Sequence, residues 1–219
     1  AISHGHAPAT VERFFASARH APAVIKADRA QGFFQKPFTE FARQLISQNR
    51  LNTGRAKAQQ YAAVFDRIER QFGVSRGVLL AFWAFETDFG GFQGDFNTLN
   101  ALVTLSHDCR RPHLFRPQVF AALELFEHGD FDPATTTGAW AGEIGMVQML
   151  PGDILDSGVD GDGDGHVRRN GGMLPLVTFR LCAPDAAPGA IAERVREVVI
   201  GAAGRVRLQP GREGKTICP

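Results

Sequence analysis

The chain has 219 residues, 44% of them apolar, and a formal net charge of +1. That length and apolar content suit one domain, or one domain with an appendage, built on a sizeable core. The near-neutral balance excludes the bulk positive field that draws nucleic acid, and the longest apolar run, Val78–Phe85, is too short to cross a bilayer.

The N-terminus, AISHGHAPAT, lacks a basic-then-apolar leader, so no signal peptide is expected within this chain, and His4 and His6 read as part of a flexible polar end. Pro8, Pro22 and Pro37 punctuate the first third into short pieces. Residues 38–47 can form a helix presenting Phe38, Phe41 and Leu45 inward. Residues 55–72 place Tyr61, Val64, Phe65, Ile68 and Phe72 on one helical face, with Gly73 where a helix stops. Ser75 can cap the next helix, about 76–87, which is apolar on most sides and therefore expected to be central and buried. Gly90, Gly91 and Gly94 break it. Residues 98–106 carry Leu99, Leu102 and Val103 at helical spacing, and Pro117 suits the first turn of a helix that presents Val119, Leu123 and Phe126 and stops at Gly129. Strand signals are few. The expectation is a compact, mainly α-helical domain.

Glu86 ends the apolar helix, among Phe82, Trp83, Phe85 and Phe89. Desolvation and the negative end of the helix dipole both disfavour its charged form and raise its pKa, as a general acid requires. A surface glutamate at a frayed helix end is the alternative.

The segment ETDFGG is followed in order by LNALVTLSHDCRRPHLFRPQVFAALELFEHGD, GAWAGEIGMVQMLP and VDGDGDGH. With VIKADRAQGFF and FTEFARQLISQNRLNTG upstream, this order and spacing resembles the membrane-bound lytic murein transglycosylase B family over roughly residues 1–167. The resemblance implies a lysozyme-like helical domain acting on peptidoglycan glycan strands in the periplasm or cell envelope; the charge balance and the short apolar runs lead us to expect no nucleic acid partner and no transmembrane segment, and a monomer is expected. It implies cleavage of the MurNAc-GlcNAc β-1,4 bond with formation of 1,6-anhydro ends, and Glu86 as the lone acid/base. Asp88 then has no catalytic role and reads as a solvated or capping acid. A hydrolytic muramidase and a non-catalytic or inactive peptidoglycan-binding relative are the alternatives.

The resemblance also carries over a substrate cleft. Arg110 and Arg111 match the family's paired arginines, whose forks suit carboxylates; a surface pair or a structural salt bridge is the other reading. Gln148 falls on a substrate-contacting glutamine, and an amide suits sugar hydroxyls and acetamido groups. Ala139 stands where the family has serine, Glu143 where it has a small residue, Met149 and Leu150 where it has Phe-Met, and Phe41 where its active-site tyrosine is expected. Trp140 can stack on a sugar or pack in the core.

VDGDGDGH begins like an EF-hand loop: Asp160, Asp162 and Asp164 take positions 1, 3 and 5, Gly165 position 6, and His166 offers its backbone carbonyl. Position 12 is Gly171 instead of an acid, so a structural Ca²⁺ would bind weakly; no cofactor is expected for catalysis. The predicted organisation is a catalytic domain over 1–170 and a divergent tail over 171–219. The family pattern stops abruptly inside the acidic run, as a shifted reading frame or genuine divergence would produce, and Ile191, Val195, Val198 and Val199 could make one short helix in the tail. Cys109, Cys182 and Cys218 show no CxxC spacing, and a Cys182–Cys218 bridge would require an oxidising compartment.

Overall fold

The computed structural model describes residues 1–30, 37–158, 167, 177–181, 196–200 and 206–210. After a single 3-10 turn at Ile2–His4 come α1 (Pro8–Phe15), α2 (Pro22–Arg29), α3 (Phe38–Leu45), α4 (Gln48–Gln60), α5 (Ala62–Phe72) and α6 (Arg76–Thr87). Then follow β1 (Phe96–Asn97), α7 (Thr98–His107), α8 (Pro112–Glu127), β2 (Thr137–Gly138) and α9 (Pro151–Ser157). The last described elements are β3 (Val177–Leu181), β4 (Arg196–Ile200) and β5 (Val206–Pro210), an antiparallel three-stranded sheet in that order. The mainly helical expectation holds. Val198 and Val199 lie in a strand, which corrects the short helix expected there, because β-branched residues suit a paired strand at least as well.

Two separate cores organise the helices. The larger gathers Phe14 and Val24 from α1 and α2, Leu99, Leu102 and Leu105 from α7, Phe115, Leu123 and Leu125 from α8, and Phe131, Ile144 and Ile154. The prolines at the starts of α1, α2, α8 and α9 suit a position whose N–H has no partner within the helix. Side chains of α7 then receive the link between α1 and α2: Arg19 N–H donates to Asn100 Oδ1 at 2.6 Å and Ala21 N–H to Thr104 Oγ1 at 2.9 Å. The smaller core holds only Phe65, Ile68, Val74 and Leu79, flanked by Tyr61, Val64 and Leu80.

Several expectations require correction. The N-terminus is not a loose polar end: His6 Nδ1 lies 3.1 Å from the Glu127 carboxylate, and the His4 ring is 5.0 Å from that of Phe120. The helix expected over 55–72 is two helices broken at Tyr61, whose ring sits 5.9 Å from Trp83; the break lets α4 and α5 each meet α6. Pro117 lies inside α8, which begins at Pro112. The missing Pro117 N–H costs one backbone bond, tolerated because Phe115 and Val119 on either side are buried. Phe38 is 79% exposed rather than inward-facing.

The largest correction concerns α6. Its limits and the Ser75 cap follow expectation, with Ser75 Oγ accepting from Gly77 N–H at 3.2 Å. Only Leu79, Ala84 and Thr87 are buried, however, while Val78, Phe82 and Phe85 are each about half exposed (49%, 49% and 48%). The helix packs along one side against the small core, and a four-residue cluster cannot cover a helix apolar on most sides.

Candidate active site at the end of α6

Glu86 occupies the last turn of α6 and is exposed rather than buried. Partial desolvation of its carboxyl still raises its pKa above the ordinary glutamate value. The next three residues turn sharply. Asp88, Phe89 and Gly90 all have positive φ (51°, 61° and 91°), and at Phe89 this is a strained conformation that the surroundings must hold.

Two contacts hold it. Asp88 is ion-paired to Arg50 Nε at 2.8 Å, and Arg50 Nη1 also donates to Leu45 O at 2.6 Å, joining the end of α3 to the turn after Glu86. Asp88 is therefore a paired capping acid. Thr87, fully buried, donates from Oγ1 to Met146 O at 2.7 Å and accepts from Gly90 N–H at 3.0 Å. This second contact fastens the small-core helix to the 138–149 loop, which belongs to the large core.

That loop is a close-packed cradle. Ala139 N–H donates to Glu143 O at 2.8 Å, and Ile144 and Met149 exchange backbone bonds at 2.8 and 3.0 Å. Gly142 has φ 88°, and a Cβ there would come within 2.3 Å of Leu102, so only glycine lets the loop seat on α7. Gln148, itself at φ 52°, donates its amide to Gly145 O at 2.8 Å and Gln93 O at 3.3 Å, which orients its side chain and leaves Oε1 as an acceptor. Met149 and Trp140 pack against the large core.

Glu143 projects from this loop and is half-buried. Burial raises its pKa, its own backbone N–H lowers it, the nearby Glu86 charge raises it and Arg111 lowers it; the net direction is upward. The loop thus adds a second carboxyl of raised pKa, Glu143, to that of Glu86.

Arg110 and Arg111 are committed inward. Asp28 on α2, 1% exposed, accepts from Arg110 Nη1 at 2.7 Å and from Arg111 Nη2. Arg110 also donates to Asp28 O at 2.9 Å. Burial opposes ionisation of Asp28, but the hydrogen bonds and charges of the two arginines outweigh it and hold its pKa below the usual carboxylate value. Arg29 extends the cluster, pairing with Asp28 at 3.0 Å and Asp108 at 2.8 Å. The salt-bridge reading of the arginine pair describes these contacts, though Arg111 Nε is buried without a hydrogen-bond partner among the described residues.

The structure therefore brings the end of α6, with Glu86, against the loop that carries Ala139, Glu143, Gln148 and Met149. Phe41 lies half-buried on α3, and Arg50 joins the end of that helix to the turn after Glu86. An apolar cavity of about 330 Å³ opens between α4 and α6, lined in part by Leu45, Leu51, Leu80, Phe85 and Phe89, and Glu86 does not line it. Asp160, Asp162, Asp164, His166 and Gly171 lie outside the described residues, as do Cys182, Cys218, Ile191 and Val195; Cys109 is exposed and free. Sequence reasoning missed Asp28, although two adjacent arginines beside an apolar helix signal a buried counter-charge.

Residues 1–169 match the family model of the transglycosylase SLT domain. The chain belongs to this family. Membrane-bound lytic murein transglycosylase B of Escherichia coli K12 is 27% identical over 128 residues, which cover 58% of this chain and 36% of that protein. The crystal structure of SltB3 from Pseudomonas aeruginosa in complex with NAG-anhNAM-pentapeptide superposes with a TM-score of 0.70 at 31% identity, covering 76% of this chain and 44% of SltB3. Escherichia coli Slt35 in complex with calcium shares the fold, with a TM-score of 0.65 at 21% identity over 98% of this chain and 74% of that one. The SLT-domain chain described here spans less than half the length of the first two relatives.

Proposed function

We propose that this SLT-domain chain is a peptidoglycan lytic transglycosylase of the cell envelope, acting as a monomer on the MurNAc-GlcNAc β-1,4 bond with Glu86 as acid and then base. The observation that carries the reading is a carboxyl of raised pKa in the last turn of α6, where Thr87 bonds that turn to the glycine-rich 138–149 loop. The solved relative SltB3, bound to an anhydro-muramyl peptide, supports the substrate class.

Protonated Glu86 gives its proton to the glycosidic oxygen as the C1–O bond breaks and the electron pair leaves with the departing sugar. The carbonyl oxygen of the muramoyl N-acetyl group attacks C1, taking the place of a second enzymic carboxylate. Glu86, now a carboxylate, takes the proton from the 6-hydroxyl of the same sugar. O6 attacks C1, the acetamido group is released, and the 1,6-anhydro ring closes without consuming water. Gln148 Oε1 and the backbone around Ala139 supply polar contacts to the glycan, and Met149 an apolar wall. Arg110 and Arg111 support the cleft through Asp28, and their remaining donors face carboxylates of the muramyl lactyl or peptide groups.

The acidic run Asp160, Asp162, Asp164 and His166 is proposed as a weak structural Ca²⁺ loop, because its hard oxygen donors suit that ion. Its described flanks lie against each other: a Cβ on Gly158 would come within 2.7 Å of Val167 Cγ1, and Val167 N–H donates to Asp130 Oδ1 at 3.1 Å. Ca²⁺ plays no part in the reaction.

Digestion of purified sacculi followed by mass analysis tests the reaction. Products with 1,6-anhydro ends, lighter by one water than hydrolytic products, are expected; reducing ends would overturn it in favour of a muramidase.

A further inference from the structure

The cavity between α4 and α6 lies outside the proposed active site. Its volume of about 330 Å³ falls in the range of small-molecule pockets. It exists because the two helices face each other with small side chains, Gly54 and Ala58 on α4 and Gly77, Ala81 and Ala84 on α6. A Cβ on Gly77 would meet only Ser75 Oγ, at 3.5 Å. Leu45, Ile46, Leu51, Leu80, Phe85 and Phe89 supply most of the remaining wall. An apolar space of this kind holds water poorly, and its lining lacks partner atoms on one side. The core beneath it has four buried residues, while Ile46, Leu51 and Phe85 at the cavity are 54%, 44% and 48% exposed. An apolar chain entering the space would extend that core.

The charged part of the lining is one-sided. Three guanidiniums line the cavity, those of Arg50, Arg55 and Arg76, and no carboxyl group does. Arg50 is ion-paired with Asp88 at 2.8 Å, and Arg76 with Asp66 and, at 3.6 Å, Glu69. Arg55 is exposed, donates to Asn52 Oδ1 at 3.1 Å and has no carboxylate partner among the described residues. Helices α3 and α4 together carry Arg43, Arg50, Arg55 and Lys57 against Glu40 alone.

We propose that this cavity binds a single-chain anionic amphiphile, a fatty-acid carboxylate: the alkyl chain fills the space between α4 and α6, and the head group lies at the rim with Arg55. The chain gains by removing apolar surface from water on both partners. The carboxylate gains charge-assisted hydrogen bonds from a guanidinium fork that matches its geometry. A neutral apolar molecule would leave Arg55 unused, and a cationic head group would meet three guanidiniums. The apolar surface is recessed between two helices, which suits one alkyl chain better than a bilayer. The inference does not depend on the reaction proposed for Glu86, which does not line the cavity. Phe85 and Phe89, on either side of Glu86 in the chain, do line it, so a bound chain touches the last turn of α6 and the turn after it.

The experiment is a calorimetric titration of the parent chain with monomeric decanoate, beside decyltrimethylammonium, which has the same chain length and the opposite charge, and beside phosphatidylglycerol vesicles. Saturable binding of decanoate is expected, with decyltrimethylammonium about tenfold weaker or more. Ala58→Leu and Ala81→Leu fill the space from opposite walls, and each should weaken decanoate binding about tenfold or more. Arg55→Gln, at an exposed position, should weaken it roughly fivefold. No saturable heat with decanoate, equal binding of the two head groups, or unchanged binding in both folded leucine variants would overturn the inference. Binding to the vesicles without binding of monomeric decanoate would overturn it in favour of a lipid surface. Should neither leucine variant fold, the head-group comparison on the parent and Arg55→Gln decide.

Discussion

The two cores of this molecule do different work. The large one draws on five helices and the loops around them, and buries Phe14, Leu99, Leu102 and Ile144 almost completely. The small one has four buried residues under α4, α5 and α6, and leaves Phe82 and Phe85 half in solvent. Glu86 stands on the small core, whereas Glu143, Gln148 and the arginine cluster stand on or beside the large one. The proposed acid is thus mounted on the less constrained half and joined to the more constrained half through Thr87 and the 138–149 loop.

Paired truncations should separate the halves. Leu102→Ala removes a fully buried side chain in contact with Gly142 and should cost roughly 3–5 kcal/mol, read by urea unfolding. Asp28→Ala leaves two arginines facing a buried, uncompensated site and should cost about 2–4 kcal/mol. Because the Asp28 pKa is depressed in the fold, its contribution is present above the unfolded value of about 3.9 and lost as pH falls through the folded value. Acid unfolding of the parent should therefore be steeper below about pH 4 than that of Asp28→Ala. Leu79→Ala, in the small core, should cost about 2–3 kcal/mol, and amides of α5 and α6 should exchange with solvent faster than those of α7 and α8 even in the parent. Equal protection in the two groups of helices would break the comparison.

The smallest expected effect lies at the joint. Thr87→Val keeps the shape and removes the hydroxyl that bonds Met146 O and Gly90 N–H. A loss of about 1–2 kcal/mol should be accompanied by a fall in kcat with little change in KM, since Glu86 loses its orientation and the glycan cradle does not.

What could be read in the sequence follows the same division. Gly73, Ser75 and the limits of α6 were legible because caps act locally, through one or two backbone bonds. The burial of α6 was not, because composition reports how apolar a helix is and not how much of the fold is available to cover it. The break at Tyr61 was hidden for a related reason: the apolar spacing runs on through the kink, and only packing against Trp83 reveals it. Asp28 reads as an ordinary surface acid in VIKADR until α2 is laid across the start of α8. Glu143 was visible as a departure from the pattern, but its half-buried place depends on how the loop closes through Gly142 and Met146. The family resemblance rests on residue order, which survives without any knowledge of contacts.

Glu86, at the joint of the two cores, is the residue proposed to carry the proton in both halves of the reaction. Its most direct test is lysis of purified sacculi by Glu86→Gln beside the parent, with melting temperatures measured on the same preparations. The account predicts matched melting and a loss of soluble anhydro-muropeptides on the order of a hundredfold or more. A correctly folded Glu86→Gln chain that releases them at the rate of the parent would contradict it.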